Sequence, residues 1–207
     1  MKNFTVPMAL VDFVPVILFT VTSIILQRDL YNKMSKGAFA LFAAGTIDII
    51  CAGSCKAIYK LLYATGICDM EPFNSLFFPV QSIGFLLAGL GIVAMLTHRQ
   101  TDTSLKSVAP AVVTGTSLFI VLMVAGVGMI YTGLSVIAVK LKKPALIAAF
   151  VISFFLLLSM GYLSSRDFTQ AGINWAAQGM NVLAQGLLLY SVHVLHKAGM
   201  ADLFLGR

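Results

Sequence analysis

The feature that most constrains this chain is the length of its apolar runs. Six stretches almost free of charge occupy roughly residues 8–27, 37–63, 74–97, 118–139, 143–164 and 171–195. An α-helix needs about 20 such residues to cross the hydrocarbon core of a bilayer. Only 11% of the residues are charged, whereas a soluble domain carries about 25%. The sequence therefore predicts an all-α integral membrane protein, a polytopic helical bundle whose first partner is the lipid bilayer.

The segments between these runs are short and hold most of the charge, which leaves no room for a soluble domain. Lysine and arginine lie in loops such as 28–36 and 140–143, the usual place of signals that orient membrane helices. The net charge of +6 therefore does not indicate a nucleic-acid partner. The first run contains Asp12 and no small-residue cleavage site, so we interpret it as a retained helix and not as a signal peptide.

The number of membrane crossings depends on residues 107–139, an uncharged stretch that is long for one helix and short for two. With a single crossing the chain has six passes, and its cationic loops divide evenly between the two sides. A reversal near 125–128 would give seven passes and place ten cationic residues on one side: Arg28, Lys33, Lys36, Arg99, Lys106, Lys140, Lys142, Lys143, Lys197 and Arg207. The positive-inside rule favours seven passes. We predict a protein of the cell membrane with its N-terminus outside the cell and its C-terminus in the cytoplasm. Six passes are the alternative.

Two of the apolar runs also resemble each other. The string FPVQSIGFLLAGL (78–90) aligns without gaps with WAAQGMNVLAQGL (175–187), and Gln81 matches Gln178. With seven passes, this match predicts a parallel 3+1+3 pseudo-repeat. The first triple-helix half is 8–97, the linker segment is 107–123 and the second triple-helix half is 124–196. The plan is similar to that of the PQ-loop sugar transporters, but the Pro-Gln dipeptide of that family is absent here, so we do not assign the chain to it.

Four amide side chains interrupt the last apolar run. Asn174, Gln178, Asn181 and Gln185 are spaced 4, 3 and 4 residues apart, which places them within roughly 60° of arc on an α-helix. An unsatisfied amide in hydrocarbon is costly, so this face must point away from lipid. Two interpretations remain open: the amides join neighbouring helices by hydrogen bonds, or they line a polar cavity together with Gln81. We favour the cavity.

The first two runs contain ionisable residues at membrane depth, and such residues are commonly functional. Asp12, Asp48 and Lys56 are therefore candidates for charge recognition or proton coupling. Antiparallel packing of these two helices would place Asp12 near Lys56 or Lys60, where the pair could simply neutralise two charges. Asp48 lies far from either end of its run without an evident partner.

The sequence contains none of the usual signatures of hydrolases, metalloproteases or nucleotide-binding proteins, so we expect no enzyme, no cofactor and no metal site. We predict a membrane transporter or channel for a small polar or charged solute, with Gln81, Asn174, Gln178, Asn181 and Gln185 lining its path. The rival is a receptor, a substrate-capture subunit or an assembly subunit that acts by binding. A second copy of the chain or a partner membrane subunit is left open. The direction in which the amide stripe faces discriminates between the two functions.

Overall fold

The computed structural model describes residues 5–97, 116–164 and 171–204 of the chain. Every regular element within these ranges is a helix, and the described part contains no strand. The helices are α1 (Val6–Val11), α2 (Phe13–Leu30), α3 (Lys36–Ala64), α4 (Glu71–Thr97), α5 (Thr116–Lys140), α6 (Leu146–Ser164) and α7 (Ala171–Lys197), with short 3-10 turns at Tyr31–Lys33 and Met200–Asp202. The predicted all-α fold is confirmed.

Four spans in the described part are long and apolar enough to cross a membrane: Val6–Lys33, which contains α1 and α2, together with α3, α4 and α5. This finding supports the prediction of a membrane protein. The last helix, α7, is equally long at 27 residues, but its amides and histidines make it less apolar than these four. The departure of α7 from a plain hydrophobic span coincides with the stripe that the sequence singled out.

A break separates α1 from α2 at Asp12. Pro15 explains its position, because a proline ring excludes the carbonyl group four residues earlier, here that of Val11, and cannot donate the corresponding hydrogen bond. The chain continues in nearly the same path, so the two helices form one interrupted span. The break leaves Asp12 at the N-terminus of α2, where a negative charge is favoured by the helix dipole.

Contacts between α2 and the helices beside it define their relative directions. Gln27 near the end of α2 contacts Thr46 near the start of α3. Asp12 at the start of α2 contacts Lys60 near the end of α3. The two helices are therefore antiparallel, as a short connection requires.

The first and last helices of the bundle run in the same direction. Gln178, early in α7, contacts Met8 of α1, whereas His196, at the end of α7, contacts Asp29 at the end of α2. The start of α7 therefore lies beside α1, and the end of α7 lies beside the end of α2.

The helices α4 and α5 also run in the same direction, although they follow each other in the chain. Gly126 of α5 lies against Phe85 of α4, and Gly133 lies against Ile92. The end of α4 and the start of α5 are therefore at opposite ends of the bundle. As a result, the series α2, α3, α4 and the series α5, α6, α7 have the same order of directions.

The two ends of the bundle differ in charge. One end, here named the cationic end, carries Arg28, Lys33, Lys36, Lys140, Lys142, Lys143 and Lys197. The opposite end, here named the acidic end, carries Asp69 and Glu71 in and beside the connection from α3 to α4. The halves of the bundle next to these ends are called the cationic half and the acidic half.

Small residues hold α3, α4 and α5 together from the middle of the bundle to the cationic end. A Cβ atom on Gly45 would overlap backbone atoms of Gly84 and Ala88. A Cβ atom on Gly126 would likewise overlap the backbone of Phe85. Such close approach of helix backbones is typical of helix pairs in membranes.

The structure corrects the predicted boundaries of the second half. The reversal predicted near 125–128 is wrong, because α5 is one continuous helix from Thr116 to Lys140. Its glycines serve helix packing rather than a turn. Residues 116–123, assigned to the linker segment, are the first turns of α5, and residues 107–115 lie outside the described residues.

Candidate functional site

A cavity of about 690 Å³ lies between the helices in the acidic half. It is partly open and reaches Asn74 in the first turn of α4. All six long helices contribute to its wall, and so do nine polar or charged side chains: Asp12, Lys56, Lys60, Asn74, Gln81, Asn174, Gln178, Asn181 and Gln185. A cavity of this size is within the range of small-molecule sites, which are about 300–1,000 Å³.

The amide stripe of α7 faces this cavity. Gln178 and Gln185 are only 5% and 7% exposed, whereas Leu183 on the opposite face of the helix is 61% exposed. Asn174 is buried beside them, and Asn181 completes the lining. The expected inward orientation of the stripe is confirmed, and all five residues predicted to line the path, including Gln81 of α4, border one space.

The hydrogen bonds of these amides show which of them join neighbouring helices. Gln178 donates through Nε2 to the carbonyl oxygen of Met8 at 3.0 Å, which ties α7 to α1. The Oε1 atoms of Gln178 and Gln185 are buried and accept no hydrogen bond from any described residue. Gln178 therefore joins two helices, and the buried Oε1 atoms of both glutamines are not exposed to the open space of the cavity.

The wall formed by α3 has a regular spacing. Ile49, Gly53, Lys56 and Lys60 recur every three or four residues, so they share one face of the helix. Asp48 is displaced from this face by about a quarter turn. Its Cβ atom lies beside Gly84 in the α3–α4 contact, and Asp48 does not border the cavity. Its predicted role in proton coupling therefore gains no support from its position.

Two charges of the cavity form an ion pair. Lys60 Nζ lies 2.5 Å from Asp12 Oδ2, with the Lys60 side chain 7% exposed. The predicted proximity of Asp12 to a lysine of α3 is confirmed, with Lys60 as the partner. The pair joins the broken first span to α3 and contributes no net charge to the cavity.

Lys56 has a different environment one helical turn away. Its Nζ atom lies 3.9 Å from the centre of the Phe77 ring of α4, a cation–π contact. Within the described residues no carboxylate lies within ion-pairing distance of Lys56. Among the residues that border the cavity, Lys56 is thus the charge without a counter-charge.

The first turns of α4 contribute side chains to the cavity that were not predicted from the sequence. Asn74, Phe77, Phe78 and Gln81 border the cavity, at a spacing of three, one and three residues that marks one helix face. Extending the face of Gln81 toward the start of α4 would have found them. Asn74 donates to Glu71 at 3.1 Å, and Tyr59 also donates to this carboxylate at 3.0 Å, so α3 and α4 are joined at the acidic end.

Beyond Gln185 the cavity ends and the bundle is packed. Phe19 and Phe85 meet edge to face with ring centres 6.2 Å apart. Deeper in the cationic half, Tyr131 donates to Ser153 at 2.7 Å, and Ser153 donates to the carbonyl oxygen of Ala184 at 2.8 Å. This chain joins α5, α6 and α7 with partners for every hydroxyl group.

The cationic end is closed by polar contacts between the first and last helices. Asp29, with a side chain 1% exposed, lies 2.7 Å from His196 Nδ1. Arg28 lies 3.0 Å from the other ring nitrogen of His196. Lys33 donates to the carbonyl oxygen of Ala201 at 2.7 Å. The cavity therefore has no continuation through the described part of this end.

Comparison with known proteins gave no match: neither a family model, nor a curated protein, nor a solved structure resembles the chain. The functional conclusion consequently depends on the chemistry of the cavity.

Proposed function

We propose that this protein is a transporter that carries a small polar or charged solute across the cell membrane through the cavity between its two groups of three helices. The observation that carries the proposal is the polar cavity in one half of the bundle and the closed packing in the other half. A transporter that works by alternating access has this form when its site is open to one side. Transporter sites between structural repeats commonly lie near the membrane midplane, as Gln81 and Gln185 do in their helices.

Seven crossings form part of the proposal. The parallel directions of α4 and α5 support an additional crossing between them. An odd number of crossings also agrees with the parallel arrangement of α2 and α7. The two series of three helices then form the halves of the parallel 3+1+3 plan, related by the Gln81–Gln178 match.

The orientation follows from charge. The positive-inside rule assigns the cationic end to the cytoplasm, so the acidic end and the cavity face the outside. The described form of the protein is then open to the exterior and closed to the cytoplasm by the contacts of His196 with Asp29 and Arg28.

The amides supply the chemistry for binding. Amide side chains offer both hydrogen-bond donors and acceptors, and six of them border the cavity. We assign solute contact to Gln81, Asn174, Gln178, Asn181 and Gln185. We assign charge recognition to Lys56 and the Asp12–Lys60 pair.

Cysteine accessibility tests the proposal and separates it from the rival binding function. In a cysteine-free background, Gln185→Cys marks the cavity floor. Val192→Cys, one heptad further on the same face and fully buried, is the matched control in the cationic half. Leu183→Cys is the control for the lipid-facing side of α7. Each variant is exposed to a membrane-impermeant thiol reagent in intact cells and in inverted vesicles.

We expect Gln185→Cys to be labelled rapidly in cells and more slowly, but measurably, in inverted vesicles, because a carrier also visits the inward-open form. Both controls should stay unlabelled. Labelling of Gln185→Cys from the outside alone would replace the transporter with a receptor or substrate-capture protein. Absence of labelling from either side would overturn both functions and leave the amides as buried packing.

A further inference from the structure

The charges of the described side chains that border the cavity do not balance. Asp12 and Lys60 neutralise each other at 2.5 Å, which leaves Lys56 as the remaining charged side chain of the wall. At the mouth of the cavity, Glu71 is exposed and accepts hydrogen bonds from Tyr59 and Asn74. Its charge is therefore screened by solvent far more than that of a group inside the cavity.

The contacts of Lys56 leave its ammonium group with donors to spare. A lysine carries three N–H donors, and the Phe77 ring occupies one side of the group. A cation–π contact compensates only part of the cost of removing an ammonium ion from water. An anion in the cavity would supply both hydrogen-bond acceptors and the opposite charge, whereas a neutral solute would supply acceptors alone.

We infer that the solute is a small organic anion, with its negative group on Lys56 and its apolar part against the aromatic wall. That wall is provided by Phe19, Phe77 and Phe78. The inference rests on the proposed function and names the solute class for the same cavity.

The directions of the helices add to the positive potential. Among the described helices, α1–α2, α4, α5 and α7 begin at the acidic end, whereas α3 and α6 end there. Because the N-terminus of a helix carries a partial positive charge, the acidic half holds more positive than negative helix ends. The first turn of α2, with Pro15 and Val16, borders the cavity directly.

The test compares two thiol reagents of similar size and opposite charge at one position. Gln185→Cys in the cysteine-free, full-length protein is labelled in intact cells with anionic sulfonatoethyl methanethiosulfonate and with cationic trimethylammonioethyl methanethiosulfonate. Each rate is divided by the rate of that reagent with free 2-mercaptoethanol. The ratio of the two normalised rates then reports the potential at the cavity floor.

The ratio is measured with Lys56 intact and in the variants Lys56→Met and Lys56→Arg, with Lys143→Met at the cationic end as the matched loss of a charge elsewhere. We expect a preference for the anionic reagent that falls by about tenfold in Lys56→Met, as one charge at short range predicts. The preference should persist in Lys56→Arg and in Lys143→Met.

The outcomes separate this inference from the proposed function. Equal normalised rates with Lys56 intact, or a preference unchanged by Lys56→Met, would overturn the anionic solute while rapid labelling kept the water-filled cavity. A preference for the cationic reagent would overturn it in the same way. Failure of both reagents to label Gln185→Cys would instead remove the cavity, and the proposed function with it.

Discussion

The cationic half and the acidic half of this bundle are formed by the same helices, yet they use polar residues in opposite ways. In the cationic half, Gln27, Thr46, Tyr131 and Ser153 have side-chain partners, and the buried hydroxyl group of Ser23 is an exception. In the acidic half, acceptors of Gln178 and Gln185 remain without donors among the described residues. Polar groups join helices in one half and surround an open space in the other.

Residue size produces much of this difference. Close approach at Gly45 and Gly126 brings α3, α4 and α5 into backbone contact. On α7, Gly179 and Gly186 meet nothing within 4 Å, so glycine does not draw that helix toward a neighbour. The positions of the small residues along the helices therefore determine where α3, α4 and α5 approach each other closely.

The largest expected effect concerns the Asp12–Lys60 ion pair in the cavity wall. Asp12→Asn removes the carboxylate beside a buried ammonium group, and breaking a buried pair in this way costs about 3–5 kcal/mol. Thermal unfolding of the purified protein in detergent measures the loss. The double variant Asp12→Asn/Lys60→Met should recover most of it, because it removes both charges together.

Asp48→Asn is the matched control for this prediction, since Asp48 also lies at membrane depth but has no ion pair within the described residues. We expect little change in its unfolding temperature. If Asp12→Asn were as stable as Asp48→Asn, the pair would not hold the acidic half together.

A smaller effect is expected from the glycines that close the cationic half. Gly45→Ala forces α3 away from the backbones of Gly84 and Ala88, and overpacking of this kind costs about 1–3 kcal/mol. Gly179→Ala adds the same methyl group where nothing lies within 4 Å, so its stability should be unchanged or slightly higher. Equal unfolding temperatures for both variants would show that close helix approach does not distinguish the halves.

The smallest effect compares one amide from each half. Gln27→Leu removes the 2.7 Å hydrogen bond to Thr46 and should lower the free energy of unfolding by about 0.5–1.5 kcal/mol. Gln185→Leu removes a side chain whose buried acceptor has no described partner, so it should leave stability equal or higher. A loss of stability in Gln185→Leu as large as that in Gln27→Leu would mean that this amide acts as glue.

The sequence predicted the orientation of α7 because amides carry a strong free-energy preference against lipid. The spacing of Asn174, Gln178 and Gln185 was enough to define the inward face, with Leu183 outside. The rotation of α3 about its own axis was harder to predict from the sequence. Asp48 and Lys56 lie in a helix that has apolar residues on every side. The distribution of polar residues around it therefore does not show which of the two faces a cavity.

The start of α5 could not be predicted from the sequence for a related reason. Glycines at 126 and 128 suit a tight turn as well as close helix packing, and only the presence of Phe85 against Gly126 decides between them. Charge counting nevertheless favoured parallel halves, because it depends on the loops and not on where each helix begins.

The pairing of the first and last spans also has a consequence for biosynthesis. Asp29 and His196 are 167 residues apart in the chain, and Met8 and Gln178 are 170 apart. A nascent chain thus releases its early helices while the partners of Asp29 and Met8 have still to leave the ribosome. Until α7 is synthesised, Asp29 lacks its histidine partner and the cavity lacks one wall, so the final helix completes the bundle.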